Sequence, residues 1–309
     1  MDLNYYIYRL KYRYGKYFKL TSPVDVSLEL SSFCDSSCRY CYHASKKDLP
    51  FPQKHMSYDL AQKVLYESAD LGVSSIKTNF RGESTLNPRF HDITRLTKNL
   101  KFIDRITNSN FNFPSNRDDI FMGLTYQTKV KVSFDSFNKE TFTHHRIGSD
   151  YDRVMKNINY FYNLPNRNNE LIIQAVRSDL NKNEDFESEV KKRWPSAKIS
   201  VRDMVTGRID KDLSDITHKE RSKDRVSCNQ AHVRLIVLSD GKVINCCPNF
   251  KGIDPCGDAN TETIKEIFNN KKSKDLRKAL LNRTAFEKDP CKTCSSFESY
   301  KGQKIPWKS

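Results

Sequence analysis

The chain has 309 residues, enough for one large domain or for a larger and a smaller unit that share a surface. Charged residues make up 29% and hydrophobic residues 37%, and no stretch approaches the roughly 20 apolar residues of a membrane span. The net charge of +15 favours anionic partners, although a Lys- and Asn-rich composition explains it equally well. With no secretory signal at the N-terminus, we expect a cytoplasmic protein that does not bind membranes.

The nine cysteines lie in two groups, and none occurs between Tyr42 and Ser227. Disulfide frameworks belong mainly to small secreted domains, whereas clustered cysteines in a cytosolic chain of this size indicate metal binding or catalysis. We therefore expect two metal-binding regions, one near each end of the chain.

Six short segments of strand character alternate with polar stretches that favour helices, such as the helix predicted over Tyr58–Leu71. This alternation predicts an α/β fold with parallel βαβ units, a partial (β/α)6 barrel. In such folds the functional groups gather at the carboxyl ends of the strands. The predicted strands are Val24–Leu30, Ser74–Phe80, Ile103–Thr107, Lys129–Phe134, Leu171–Val176 and Lys198–Arg202.

The pattern changes after residue 208, which divides the chain into residues 1–20, 21–208 and 209–309. Residues 1–20 interleave tyrosines with basic residues, and either stack on nucleic acid or, as we favour, cap the open end of the barrel. In the last part, Val233–Leu238 and Lys242–Asn245 predict a β-hairpin, and Thr261–Asn270 predicts a helix.

The first cysteine group, Cys34-x3-Cys38-x2-Cys41, follows the first predicted strand. Three thiolates on one loop can hold a [4Fe-4S] cubane and leave the fourth iron without a protein ligand. A zinc site is the alternative, and it requires a fourth ligand such as His43 or His55.

This spacing, with Tyr40 before the third cysteine, resembles the radical S-adenosylmethionine (SAM) superfamily. The resemblance implies that the open iron binds SAM and that Tyr40 lies near its adenine. Gly82 and Glu83 resemble the end of the family's Gly-Gly-Glu motif, which contacts the SAM amino group, but Arg81 replaces the first glycine.

Two further segments at successive strand ends resemble family motifs. Thr107-Asn108-Ser109 is similar to Thr-Asn-Gly after the third strand, and Ser133-Phe134-Asp135 is similar to Ser-x-Asp after the fourth. By resemblance Asn108, Ser133 and Asp135 contribute to SAM binding. Taken alone, each is equally an ordinary turn or capping residue.

In the second group, Cys228, Cys246, Cys291 and Cys294 surround the predicted hairpin, and the last two form a C-x2-C pair. The region resembles the SPASM or twitch extension of radical SAM enzymes, which implies one auxiliary [4Fe-4S] cluster held by these four residues. A zinc ribbon is the alternative. Cys247 and Cys256 remain, as substitute ligands or as small buried apolar side chains.

The resemblance implies reductive cleavage of SAM to a 5′-deoxyadenosyl radical and, with a closed auxiliary cluster as electron acceptor, two-electron oxidation of a small molecule, sugar or nucleoside. The alternatives are a peptide-modifying maturase and a non-catalytic zinc or iron–sulfur protein that binds nucleic acid. A flavodoxin or ferredoxin is the expected electron donor. The sequence singles out no catalytic acid or base. Six residues near the strand ends could bind an anionic group such as the phosphate or carboxylate of a substrate, or are equally solvated surface charges: Arg81, His144, His145, Arg146, Arg177 and Arg202.

Overall fold

A computed structural model of the chain describes residues 3–44, 49–165, 167–203, 228–287, 290–292 and 294. Their strands form a single sheet. The strands are β1 Asp25–Leu28, β2 Ser75–Lys77, β3 Asp104–Ser109, β4 Lys129–Ser133, β5 Glu170–Arg177, β6 Lys198–Asp203, β7 Arg234–Val237, β8 Lys242–Ile244 and β9 Gly257–Asp258. Their order across the sheet is β6-β5-β4-β3-β2-β1-β7-β8-β9.

Helices connect the strands and cover one face of the sheet. The helices are α1 Leu3–Tyr14, α2 Tyr58–Asp70, α3 Phe90–Asn99, α4 Asp118–Thr125, α5 Lys139–His145, α6 Tyr151–Tyr162, α7 Phe186–Arg193, α8 Gln230–Val233, α9 Ile264–Asn269 and α10 Lys271–Leu281. Ser57 caps the amino terminus of α2, since its side chain accepts a hydrogen bond from the Leu60 backbone amide. None of the described helices is long and apolar enough to cross a membrane.

Strands β1 to β6 are mutually parallel, which confirms the predicted partial (β/α)6 barrel. Alternate residues of each strand pack with the helices in the main hydrophobic core, as Ile76, Val130, Val132 and Ile173 do. The residues between them face the other side of the sheet. We call the space on that side, enclosed by β1 to β6, the lumen.

The C-terminal hairpin continues the same sheet. Strand β7 pairs in parallel with β1, from Asp25 opposite Arg234 to Leu28 opposite Val237, and β8 then pairs antiparallel with β7. The turn between β7 and β8 contains Gly241, which has a φ of +95° that disfavours other residues. Leu235 and Val237 lie in the main core, so the hairpin and the barrel share apolar packing. The predicted boundary at residues 208 and 209 lies outside the described residues.

Helix α1 covers the amino-terminal ends of the strands. Tyr8 is buried there, and its hydroxyl donates a hydrogen bond to Asp104 at the start of β3. Tyr12 contacts Arg234 at the start of β7 and accepts a hydrogen bond from Lys77 of β2 at 3.4 Å. These tyrosines therefore pack on the barrel, as a cap does, at the end opposite the carboxyl ends of the strands.

Candidate functional site

The first cysteine group lies on the loop after β1, at the carboxyl end of the parallel strands. Cys38 is buried, whereas Cys34 and Cys41 are half-buried. The Cys41 amide donates to the Cys38 carbonyl at 3.0 Å, and the Ala44 amide donates to the Cys41 carbonyl at 2.9 Å. The loop is thus a tight series of turns that brings three thiols to one end of the barrel.

The loop that follows β2 packs directly against this cysteine loop. The Glu83 amide donates to the Phe33 carbonyl at 2.8 Å, and a Cβ atom at Gly82 would lie 2.3 Å from the same carbonyl oxygen. A residue with a Cβ atom therefore does not fit at this position. Gly82 therefore lets the two loops approach each other.

The Glu83 carboxyl is buried at this junction. It accepts hydrogen bonds from the Thr85 hydroxyl at 2.8 Å and from the backbone amide of Asn110 at 2.8 Å. Burial, followed by the negative charge of Asp35, raises the pKa of Glu83 to about 7. A cationic ligand beside this carboxyl would stabilise its ionised form, so the site suits an ammonium group.

Two asparagines after β3, which no sequence motif singles out, hold the cysteine loop in place. Asn110 donates to one carboxylate oxygen of Asp35 at 2.6 Å, and Asn112 donates to the other at 2.9 Å. The only signal available in the sequence was their position at a strand end. Asp35 therefore couples the cysteine loop to the carboxyl end of β3.

Tyr40 and Asp135 are brought together, with Arg146 beside them. The Tyr40 hydroxyl donates to Asp135, and the Arg146 Nε atom lies 2.8 Å from the same carboxylate. Arg146 also donates from Nη1 to the sulfur of Cys38 at 3.7 Å. A buried ion pair thus links the fourth strand end to the cysteine loop. The prediction that Arg146 binds an external anion is wrong, because its charge is already paired.

Arg81 is likewise committed to the protein itself. Its guanidinium binds Glu29 with two hydrogen bonds, of which the one from Nη2 measures 2.6 Å. Glu29 also accepts hydrogen bonds from the amide and hydroxyl of Ser239, both at 3.0 Å. The side chain of Arg81 is 2% exposed. The prediction of an anion site at Arg81 is therefore wrong, and the residue joins the barrel to the C-terminal hairpin instead.

The remaining candidates from the barrel are spread over the side where the parallel strands have their carboxyl ends. Asn108 and Ser133 are half-buried on β3 and β4, and Ser133 lies opposite Gln174 of β5. His145 is buried at the end of α5, whereas His144, Arg177 and Arg202 are exposed. Of these, Asn108, Ser133 and Arg202 lie on strand faces that line the lumen.

The C-terminal cysteines include Cys246 and Cys247, which follow closely after β8. The pKa of Cys228 is raised to about 12, chiefly because the thiol is buried. The nearby thiols of Cys294, Cys291 and Cys247 also contribute to this increase. Burial also raises the pKa of Cys246 well above its ordinary value, and the thiols of Cys247, Cys228 and Cys291 raise it further. These mutual charge effects require neighbouring thiols. The four predicted ligands are thus close to one another in space.

The two remaining cysteines differ in their surroundings. Cys256 is buried in the main hydrophobic core, and its thiol donates to the Val243 carbonyl at 3.3 Å. Cys247 lies beside Cys246 and Cys228 and packs against the apolar cluster that contains Ile236. Cys256 therefore behaves as a small apolar side chain, whereas Cys247 belongs to the C-terminal thiol group.

The donor sets fit iron–sulfur clusters by their chemistry. Both groups consist of thiols, the usual ligands of such clusters, and the first offers three while the second offers four with Cys247 nearby. Among the described residues, no group of three or more His, Cys, Asp or Glu side chains is positioned to hold a single metal ion.

Residues 228–295 match the SPASM family, described as an iron–sulfur cluster-binding domain. By sequence, no curated protein matches the chain.

Solved structures resemble nearly the whole chain. BtrN in complex with AdoMet and 2-DOIA is 16% identical, with a TM-score of 0.59 over 88% of this chain and 92% of its own. SuiB from Streptococcus suis bound to S-adenosylmethionine is 15% identical, with a TM-score of 0.65 over 84% and 68%. Native anSMEcpe with bound AdoMet is 16% identical, with a TM-score of 0.63 over 84% of each chain. At such identities the likeness establishes the fold.

Proposed function

We propose that this chain, which has the fold of radical SAM enzymes with a C-terminal SPASM-type iron–sulfur domain, is a SAM-dependent oxidoreductase with two [4Fe-4S] clusters. The observation that carries the proposal is the loop with Cys34, Cys38 and Cys41, which places three thiols above a parallel barrel and beside a buried carboxyl group. Its substrate is a small molecule, sugar or nucleoside.

In this proposal the first cysteine loop holds a cluster through three thiolates. The chemistry that such a group supplies is one-electron cleavage of SAM, which gives methionine and a 5′-deoxyadenosyl radical that takes a hydrogen atom from the substrate. Gly82 keeps the cysteine loop against the loop after β2, and Asp35 fixes it to β3. The role of these residues is to hold the thiols in one orientation.

SAM itself would lie across the carboxyl ends of β1 to β4. The Glu83 carboxylate, which burial disfavours, would bind the SAM ammonium group and be stabilised by it. Asn108 and Ser133 present polar side chains to the lumen, and the Tyr40 ring is held in position by its hydroxyl contact with Asp135. Arg81, where the family motif has glycine, has a structural role.

The C-terminal thiols would hold the second cluster through Cys228, Cys246, Cys291 and Cys294. Four thiolates leave no iron open to the substrate, so we assign this cluster to electron acceptance. A substrate radical that loses one electron to it and one proton to solvent completes a two-electron oxidation, with a flavodoxin or ferredoxin as the donor to the first cluster. We expect this chemistry to take place in the cytoplasm.

Modification of a peptide is the second candidate. It is supported by SuiB bound to precursor peptide SuiA, with a TM-score of 0.65, and by anSMEcpe bound to Cp18Cys peptide, with a TM-score of 0.59. We favour the small molecule because the likeness to BtrN in complex with AdoMet and 2-DOIA spans 92% of that chain, whereas the likeness to SuiB bound to precursor peptide SuiA spans 73% of its chain.

The test is anaerobic reconstitution followed by iron analysis and detection of 5′-deoxyadenosine. The wild-type chain should bind about eight irons, show a [4Fe-4S] spectrum and form 5′-deoxyadenosine with a strong reductant. Replacing Cys34, Cys38 and Cys41 with alanine should remove about four irons and abolish 5′-deoxyadenosine. Zinc in place of iron, with no cleavage of SAM, would overturn the proposal.

The auxiliary site is tested with paired cysteine variants. The double variant C291A/C294A should keep the first cluster and form 5′-deoxyadenosine, yet yield no oxidised product. C256A is the matched control because Cys256 lies in the hydrophobic core, away from the other thiols. It should retain about eight irons. Normal oxidation by the double variant would contradict the acceptor role.

A further inference from the structure

Two cations on the inner face of the barrel, Lys131 and Arg202, form no ion pair with any acidic side chain of the described residues. We propose that Lys131 and Arg202 bind a phosphate group of the small-molecule substrate in this lumen. The inference rests on the proposed function for the reaction, but the site itself is argued from side chains that the SAM chemistry does not use.

Strand geometry places both residues on the inner face of the sheet. On β4, Val130 and Val132 pack into the helix-covered core, so Lys131 between them points into the lumen. On β6, Ile199 and Val201 pack against the same core, so Ser200 and Arg202 face the lumen as well. Across β5 between them, Lys131 lies opposite Ile172 and Arg202 opposite Val176, an offset of four residues or about 13 Å along the strands. The Arg202 side chain turns back towards Lys131, since its Nε donates to the hydroxyl of Ser200.

Other cations of the lumen are already neutralised at its amino-terminal end. The carboxylate of Asp25 lies 2.6 Å from Arg234 and 3.2 Å from Lys77. The carboxylate of Asp104 lies 2.8 Å from Lys129 and accepts a hydrogen bond from Tyr8. Asp25 and Asp104 are therefore already paired with cations that lie closer to them than Lys131 and Arg202 do.

Lys131 and Arg202 differ from these cations. Within the described part of the chain, the Lys131 ammonium has no hydrogen bond and no ion pair, and the Arg202 guanidinium contacts only the hydroxyl of Ser200, at 3.2 Å. Desolvation, followed by the positive charges of Arg202, Lys77 and Lys129, lowers the pKa of Lys131 to about 8, while Asp104 opposes this shift. Two such cations favour an anion that enters from outside.

The surrounding inner surface supplies neutral donors. Asn108, Ser133, Gln174 and Ser200 are half-buried on β3 to β6. Ser133 lies two residues beyond Lys131, or about 7 Å along the strand. If Ser133 borders SAM, a phosphate at Lys131 would place the rest of a small molecule beside the SAM pocket.

The chemistry favours a phosphate monoester over a single carboxylate. A phosphate monoester carries nearly two negative charges at neutral pH, which matches two unpaired cations, and the planar Arg202 guanidinium can bind two of its oxygens. Hydroxyl and amide groups of the lumen can donate to its remaining oxygens. The substrate class is therefore a phosphorylated small molecule such as a sugar phosphate or a nucleotide.

The experiment is calorimetric titration of the anaerobically reconstituted enzyme with inorganic phosphate, with potassium chloride of equal ionic strength as the blank. Phosphate should bind in the millimolar range or tighter, and K131M and R202M should each weaken binding at least tenfold, whereas K131R should retain most of it. K156M is the matched control, because Lys156 is an exposed lysine on α6. Binding should also weaken as the pH rises above about 8, where Lys131 loses its proton.

Several outcomes would overturn the site. Wild-type enzyme that forms 5′-deoxyadenosine but binds no phosphate would refute the inference and leave the proposed function intact. Phosphate binding that survives both K131M and R202M would place the anion elsewhere, and loss of SAM affinity in K131M without any phosphate binding would assign the cations to the SAM carboxylate. Conversely, Lys131-dependent phosphate binding without 5′-deoxyadenosine would refute the proposed function alone. Thermal unfolding of each variant confirms that it is folded.

Discussion

Arg146 reaches Cys38 across the end of the barrel, with its Nη1 atom 3.7 Å from the Cys38 sulfur. The same guanidinium is paired with Asp135, and the Arg146 Cζ atom lies 5.7 Å from the centre of the Tyr40 ring. One buried cation therefore contacts a proposed cluster ligand, the ring proposed to lie near adenine and the acid at the end of β4.

This relationship predicts that Arg146 sets the reduction potential of the first cluster. A donor and a positive charge beside a ligating sulfur stabilise the reduced cluster, so R146M should lower the potential by about 60 mV, equivalent to about 1.4 kcal/mol. R146K should show a smaller shift because it keeps the charge. The measurement is an EPR redox titration in the C291A/C294A background, which removes the second signal.

R146M also leaves Asp135 without its cation, so D135N/R146M is the appropriate control for this change. The double variant should fold more stably than R146M and retain the lowered potential. An unchanged potential in both variants would limit Arg146 to a structural role.

Substitution of Gly82 by alanine should abolish the first cluster. The new Cβ would lie within 2.7 Å of three backbone atoms of the cysteine loop, and backbone cannot move aside as a flexible side chain can. G82A should therefore bind about four irons after reconstitution instead of about eight. G72A is the control, because a Cβ at Gly72 meets nothing within 4 Å. It strains a positive φ but should keep all the iron.

Removing the charge of Glu83 should weaken SAM binding. An ammonium group bound to a buried carboxylate is worth about 1.5–3 kcal/mol, so E83Q should reduce SAM affinity about 10- to 100-fold, measured by calorimetry on the reconstituted enzyme. E140Q, at an exposed position on α5, serves as the control. Equal SAM affinity in E83Q and wild type would remove Glu83 from the binding site.

Lys131 should destabilise the protein in the absence of an anion. Its pKa is lowered from 10.5 to about 8, so the folded state resists the charged form, at a cost of about 1–3 kcal/mol when the lysine is protonated. The penalty is complete below pH 8 and disappears as the pH rises towards 10.5. K131M should therefore unfold at a higher temperature than wild type at pH 7, and the difference should vanish near pH 10.5. A lower melting temperature for K131M at pH 7 would contradict this account.

Much of the fold and part of the site could be predicted from local sequence patterns. The six barrel strands follow from β-branched segments between helix-forming stretches, and the cysteine spacing indicated the site. The alternation Lys129-Val130-Lys131-Val132-Ser133 also encodes the polar inner face of β4.

What the sequence could not supply was pairing between distant residues. Glu29 and Arg81, or Asp135 and Arg146, are ordinary strand-end residues until the fold brings them together, and the parallel pairing of β7 with β1 joins segments about 200 residues apart. No local pattern encodes such contacts. The sequence alone therefore cannot distinguish Arg81 and Arg146, which have internal partners, from residues that bind external ligands.

The parallel pairing of β7 with β1 has a further consequence for the folding of the chain. Without β7, the amide and carbonyl groups along the outer side of β1 would be unpaired, and the apolar side chains that pack with Leu235 and Val237 would be exposed. An open, apolar sheet edge promotes aggregation. A fragment that ends at residue 203 should therefore be insoluble, and the barrel and the cysteine-rich extension should unfold in a single cooperative transition.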